Sequence, residues 1–163
     1  MNISPQALVA TIRLNLLRRP LMCPEAAEEV LDIGRVRLNA LIDCGKLPWA
    51  WDFSAIGGHS KEVRILSACV VELAAGSPVP AVGATRNLDL AAVINLVIPQ
   101  KRESLRGIEL QRRFHLSADW FHDMRANGEL EWIPETLPKT GPKASPRFTR
   151  ESVSRLLERR RIT

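Results

Sequence analysis

Three polar side chains stand at alternate positions in the run Arg35-Val36-Arg37-Leu38-Asn39. Arginine can donate a forked pair of hydrogen bonds to guanine O6 and N7, and asparagine can pair with adenine N6 and N7. Residue types like these at one end of a helix suit the reading of base edges. Near them in the chain are cations of the kind that hold phosphates without reading sequence: Lys46, His59, Lys61 and Arg64. The plain alternative is a solvated polar face. Other chemistries find less support. His115 and His122 are seven positions apart, and a histidine pair with no third ligand makes a poor metal site. Gly57-Gly58 lacks the Gly-Lys-Ser/Thr continuation of a phosphate loop. No nucleophile elbow or local Cys-His arrangement is present, and Glu25, Glu28 and Glu29 read as one solvated helix face. The expectation is a protein that is not an enzyme and needs no metal or cofactor.

Positioning Arg35, Arg37 and Asn39 requires a short helix with its polar side outward. Residues 24–47 supply it as two amphipathic runs broken at Asp32-Ile33-Gly34. Ala26, Ala27, Val30 and Leu31 share one face of the first run, and Leu38, Leu41 and Ile42 share one face of the second. Gly45 is a helix stop. Two short helices across a three- or four-residue turn have the pattern of a helix-turn-helix, with an ordinary helical hairpin as the other reading. Beyond the corner Gly45-Lys46-Leu47-Pro48, the alternation of Trp49, Trp51 and Phe53 predicts a half-buried strand. Val63-Arg64-Ile65 predicts a second strand, and the apolar run through Cys69, Val70 and Leu73 a closing helix.

With its Gly-x-Leu-Pro corner, the stretch EAAEEVLDIGRVRLNALIDCGKLP, followed by a wing, VRI and a closing helix, resembles the excisionase/MerR-type winged helix-turn-helix superfamily. That superfamily includes phage excisionases, small terminase N-terminal domains and small bacterial regulators. The resemblance covers roughly residues 22–75 and implies duplex DNA as ligand, with the second helix in the major groove. It also implies the capacity for self-assembly along DNA. One departure is Gly34, which stands where the family has a Ser/Thr cap.

The second half of the chain repeats the first. A shift of 83 residues superposes Gly45 on Gly128, Leu47 on Leu130, Trp49 on Trp132, Arg64 on Arg147, Val70 on Val153 and Leu73 on Leu156. The same shift matches Ile33 with Leu116, Leu38 with Phe121 and Leu41 with Met124, so a tandem duplication is expected. In the second copy Leu110 and Phe114 form a core face, Ser117 caps the second helix, and residues 134–146 form a longer wing. That second helix carries Asp119, Trp120, His122, Asp123 and Arg125. Its carboxylates would repel backbone phosphates. The copy's cations lie elsewhere, at Lys139, Lys143, Arg147, Arg150 and Arg159-Arg160-Arg161. Either this copy grips the DNA backbone, with Arg125 helping, or it docks a protein with Trp120 as an exposed anchor. Trp120 in the core is an equal alternative.

The expected fold class is mainly α with small β-wings (α+β): two tandem winged modules plus an N-terminal helix. Residues 1–20 hold that helix, with Ser4 and Pro5 at its start and Arg18-Arg19 at the negative end of its dipole. Residues 21–76 form the first module and 104–163 the second. Residues 77–103 form a linker whose segment Leu90–Ile98 is a helix or a strand. Each module is expected to have its own small core. The net charge of +5 arises wholly after Gly76, where fifteen Lys/Arg face ten Asp/Glu. A basic excess favours a polyanionic partner. Cys23, Cys44 and Cys69 suit a reducing compartment. No signal peptide or membrane-spanning run is apparent, so a cytoplasmic, nucleoid-associated protein is expected. Its partners would be double-stranded DNA, further copies of itself, and a recombinase or other protein. The role implied is that of a transcription regulator or recombination directionality factor of prokaryotic, phage or mobile-element type. The alternative is a protein-docking adaptor, or the DNA-recognition subunit of a terminase- or transposase-like machine.

Overall fold

The computed structural model describes residues 18–55, 61–79, 82–133 and 146–162. The first half opens with β1 (Leu21–Met22) and α1 (Pro24–Leu31), followed by α2 (Arg35–Asp43). Pro24 suits the start of α1, because a first-turn residue has no helical use for an N–H. The helix ends at Asp32, which adopts the left-handed conformation with φ 51° and donates its N–H to the Glu28 and Glu29 carbonyls. Gly34 precedes α2 in an extended conformation and offers no side-chain cap. After Gly45, with φ 73°, the chain turns so that the Leu47 N–H reaches the Leu41 carbonyl at 3.0 Å and the Leu47 side chain is buried. A hairpin of β2 (Ala50–Asp52) and β3 (Val63–Leu66) leads directly into α3 (Ser67–Ala75). β3 pairs antiparallel with both neighbours, giving a sheet of order β1-β3-β2.

After a 3-10 turn at Thr85–Asn87 comes α4 (Leu90–Val97), whose first turn is capped by the Asp89 side chain accepting from the Ala92 N–H at 2.7 Å. The apolar segment is therefore a helix, and its Val93, Ile94 and Val97 are buried together with Ile98. The connection between the halves is a packed layer where the low charge suggests a free linker. Trp49 donates its indole N–H to the Thr85 carbonyl at 2.9 Å, and the Thr85 N–H is held by Glu72.

The second half restates the order of the first: β4 (Ser104–Arg106), α5 (Gly107–Phe114), α6 (Ala118–Ala126), β5 (Trp132–Ile133), β6 (Arg147–Thr149) and α7 (Arg150–Arg160). Its sheet has the order β4-β6-β5. The shift of 83 holds in detail. The left-handed Asp32 becomes left-handed His115, Gly45 and Gly128 share φ 73°, and the Leu21–Leu66 pairing becomes Ser104–Thr149. One strand departs from it. Ala50 pairs with Ile65 in the first sheet and Trp132 pairs with Phe148 in the second, so Trp132 stands in register with Ala50. The loop before β5 is one residue shorter, and a one-residue slip sends a side chain to the other face. The identity of Trp49 and Trp132 is thus not an equivalence: Trp49 is 3% exposed and Trp132 is 44% exposed.

A mixed α+β molecule results, with seven α-helices and two three-stranded antiparallel sheets among the described residues. Its core is continuous from Leu21 to Leu157, in place of the two separate cores expected. Equivalent positions differ in size: Ala27, Leu31, Leu38 and Ile65 in the first half answer to Leu110, Phe114, Phe121 and Phe148 in the second. The first half sends its aromatic volume across the boundary. Phe53 lies 5.6 Å from Phe114 and 5.5 Å, edge to face, from Trp120. Trp51 donates to the Leu157 carbonyl at 2.9 Å, and the Ile162 N–H returns to the Ala50 carbonyl. Buried aromatic pairs add about 1 kcal/mol each beyond the area they remove from water, so the two halves are joined by packing as well as by the chain.

Candidate nucleic-acid interface

The three predicted base readers fall on the first two turns of α2, and the fold treats them differently. Arg37 and Asn39 are exposed and make no hydrogen bond or ion pair among the described residues. Arg35 is clamped by Glu25 and Glu28 of α1. The backbone N–H at the start of α1, together with Arg35, holds the Glu25 carboxyl down to about 2. A guanidinium shared between two carboxylates has little charge left to offer a base, so Arg35 braces α1 against α2. Between Arg35 and Arg37, Val36 is 86% exposed. An apolar side chain at that place suits a thymine methyl group.

Among the expected phosphate contacts, Lys46 and Lys61 are exposed, whereas His59, Lys139 and Lys143 lie outside the described residues. Arg64 is a correction. It is 7% exposed, and its guanidinium donates to the Phe114 carbonyl at 3.0 Å, the His115 carbonyl at 2.7 Å and the Glu62 carboxylate at 2.9 Å. Those carbonyls end α5, where unpaired acceptors attract a cation. Arg64 is therefore a bolt between the halves, withdrawn from any phosphate. Arg150 is likewise turned inward, donating to the Ile98 and Pro99 carbonyls at 3.0 and 2.8 Å beyond the end of α4. Arg125 lies over the Trp132 ring at 4.8 Å, and Arg147 donates to the Ser104 hydroxyl at 3.1 Å.

The remaining assignments in the second half shift as well. Trp120 is 8% exposed and donates its indole N–H to the Phe53 carbonyl at 2.7 Å, so it is a core residue and not an exposed anchor. The outer side of α6 keeps Asp119, His122 and Asp123 exposed. The terminal cluster is no free basic tail. Arg160 forms a two-pronged pair with Glu129, Arg159 reaches the Glu129 carbonyl, and Arg161 covers the Trp49 ring at 3.9 Å. Burial pushes the Cys69 thiol up to about 11, which leaves it a packing group.

No protein-family model, curated protein or solved structure matches the chain. No helix among the described residues is long and apolar enough to cross a membrane.

Positive charge gathers on a face that the sequence reading missed. A cleft of about 840 Å³ is lined by arginines from the segments before β1 and before β4, and from β4, α5 and β6. The signal was present as the doublets Arg18-Arg19, Lys101-Arg102 and Arg112-Arg113. Taken singly, each doublet reads as a helix end or a solvated turn, and only the fold brings them to one place.

Proposed function

We propose that the chain binds double-stranded DNA through two winged helix-turn-helix units fused into one body, the first of which reads bases. The observation that carries this is the α1-turn-α2 pair followed by the β2–β3 hairpin, with Arg37, Asn39 and Val36 projecting freely from the early turns of α2. Arginine, asparagine and an apolar tip address guanine, adenine and the thymine methyl. The second unit repeats the architecture with an acidic α6, and it contributes backbone grip more than base readout. A protein of this kind serves as a transcription regulator or as a recombination directionality factor beside a recombinase. Covalent fusion with a shared core fixes the spacing between the units, which favours direct-repeat sites over palindromes. The test is selection from a random duplex library, followed by binding of the Arg37→Ala/Asn39→Ala variant. A recovered motif that the double variant no longer distinguishes supports the reading, and a library that returns no motif sinks it.

The adaptor reading draws on the same Val36. With Val30 of α1 also 48% exposed, the α1–α2 side has apolar tips suited to a protein. Salt separates the readings, because phosphate contacts weaken steeply as salt rises and apolar docking does not.

A further inference from the structure

The arginine cleft carries more positive charge than the protein as a whole. Seven arginines and one glutamate line it, a formal +6, against a net +5 for all 163 residues. The rest of the chain is then net −1, so the basic character of this protein is a property of one concavity.

Its guanidiniums are of two kinds. Arg102 and Arg113 share Glu109, at 2.7 and 3.4 Å, and Arg147 is tied to Ser104. These three form a fixed wall. Arg18, Arg19, Arg106 and Arg112 are exposed, and their guanidiniums have no hydrogen bond or ion pair among the described residues. Among the described residues, Glu109 is the one carboxylate of the lining, and its ion pairs go to Arg102 and Arg113 and not to these four arginines. Like charges brought together without counter-charge destabilise a fold, so the arrangement is at odds with a purely structural role. Only Ile108 gives the lining an apolar side chain, which excludes an apolar ligand. Guanidinium forks match phosphate oxygens two by two, and a concave low-dielectric wall focuses the field of its charges.

We propose that this cleft is a site for consecutive phosphates, those of a nucleic-acid backbone. It rests on the DNA-binding reading for the source of the phosphates, but it lies on the outer side of α5 and uses none of the α2 residues. Arg18 and Arg19 precede β1, whereas Arg106 and Arg112 belong to the second half, so a bound strand touches the start of both halves.

The experiment titrates the full chain with a duplex of about thirty base pairs across a salt series, beside inorganic tripolyphosphate followed by thermal melting. Wild type is compared with Arg106→Ala/Arg112→Ala and with Arg37→Ala/Asn39→Ala. Each arginine that meets a phosphate contributes about 0.9 to the slope of log affinity against log salt. The cleft variant should lose close to 2 from that slope, and at least tenfold in affinity for every sequence. Tripolyphosphate should raise the melting temperature of wild type and not of this variant, which in anion-free buffer should melt no lower than wild type. A cleft variant with wild-type slope, or one that melts well below wild type without anion, overturns the proposal and leaves base reading by α2 standing. If no duplex binds but tripolyphosphate still binds through Arg106 and Arg112, the site stands with a free polyphosphate as ligand and the DNA reading falls. Binding of neither overturns both.

Discussion

The helices α2 and α6 occupy the same position in the two halves and present opposite surfaces. From α2 project Arg37, Asn39 and a bare Val36, whereas α6 exposes Asp119, His122 and Asp123 and buries Trp120 at the place equivalent to Arg37. The two copies of one arginine diverge in the same way. Arg64 is sealed between the halves, and its counterpart Arg147 lines an open cleft. The two halves share the left-handed helix ends at Asp32 and His115, the glycine stops at Gly45 and Gly128, and the pairing of the central strand with both neighbours. Their outer faces differ. The first half sends its β2 aromatics into the second, and the second half carries the cleft beside α5.

The sharpest way to break this comparison is to ask whether the halves are separable. Wild type should unfold in one transition by urea, because the core is shared. Phe53→Ala should weaken that single transition by about 3–5 kcal/mol, as deletion of a buried phenyl ring does. Two resolved transitions would show that each half is its own folding unit. Arg64→Ala comes next, at about 2–4 kcal/mol, since it leaves carbonyls at the end of α5 without a donor. Once folded, that variant should bind nucleic acid as wild type does, whereas weakened binding in an unshifted melt would return Arg64 to the phosphate contacts.

Exchange of the helix faces gives the third effect. Arg37→Ala/Asn39→Ala should cost about 1–3 kcal/mol of discrimination at each base it reads. Asp119→Ala/Asp123→Ala should leave sequence preference alone and tighten binding to every duplex. Opposite behaviour in competition assays would reverse the roles given to α2 and α6. Smaller still are the caps. Ser117→Ala should destabilise by about 1 kcal/mol, because Ser117 accepts from the Trp120 N–H. Gly34→Ser should gain a few tenths, since nothing lies within 4 Å of a Cβ there. Last is acid sensitivity. Glu25 has its carboxyl lowered from 4.5 to about 2 by the α1 backbone N–H and by Arg35, so its stabilising effect is complete above 4.5 and is lost as pH falls towards 2. Exposure keeps that effect small. Glu25→Gln should flatten the fall in melting temperature over that window, and the second half, with Ile108 and Ala118 at the places of Glu25 and Arg35, has no counterpart.

Much of the fold was legible because its signals are local. Pro24, Gly45, Gly128 and Ser117 mark helix ends by their own chemistry, and apolar spacing marks the helices between them. The slip at Trp132 was hidden, because an identical residue fell on the fixed offset while the loop before it lost one position. Arg64 and Arg150 looked like surface cations, since only the packing of distant helix ends shows that carbonyls await them. The cleft was invisible for the opposite reason: its arginines are far apart in sequence and ordinary one by one. Burial at an interface and convergence on a surface are tertiary facts.

The bond from Trp51 to the Leu157 carbonyl spans 106 residues, and the Ile162 N–H closes on Ala50 over a similar distance. During synthesis the β2 strand therefore leaves the ribosome long before its partner. At the usual pace of translation the wait is roughly 5 to 20 seconds. Throughout it, Trp51 and Phe53 lack the α7 and α6 surfaces that cover them. Elongation speed over residues 55–160 thus sets how long a nascent chain stays sticky, and a chaperone that meets this protein should meet it there.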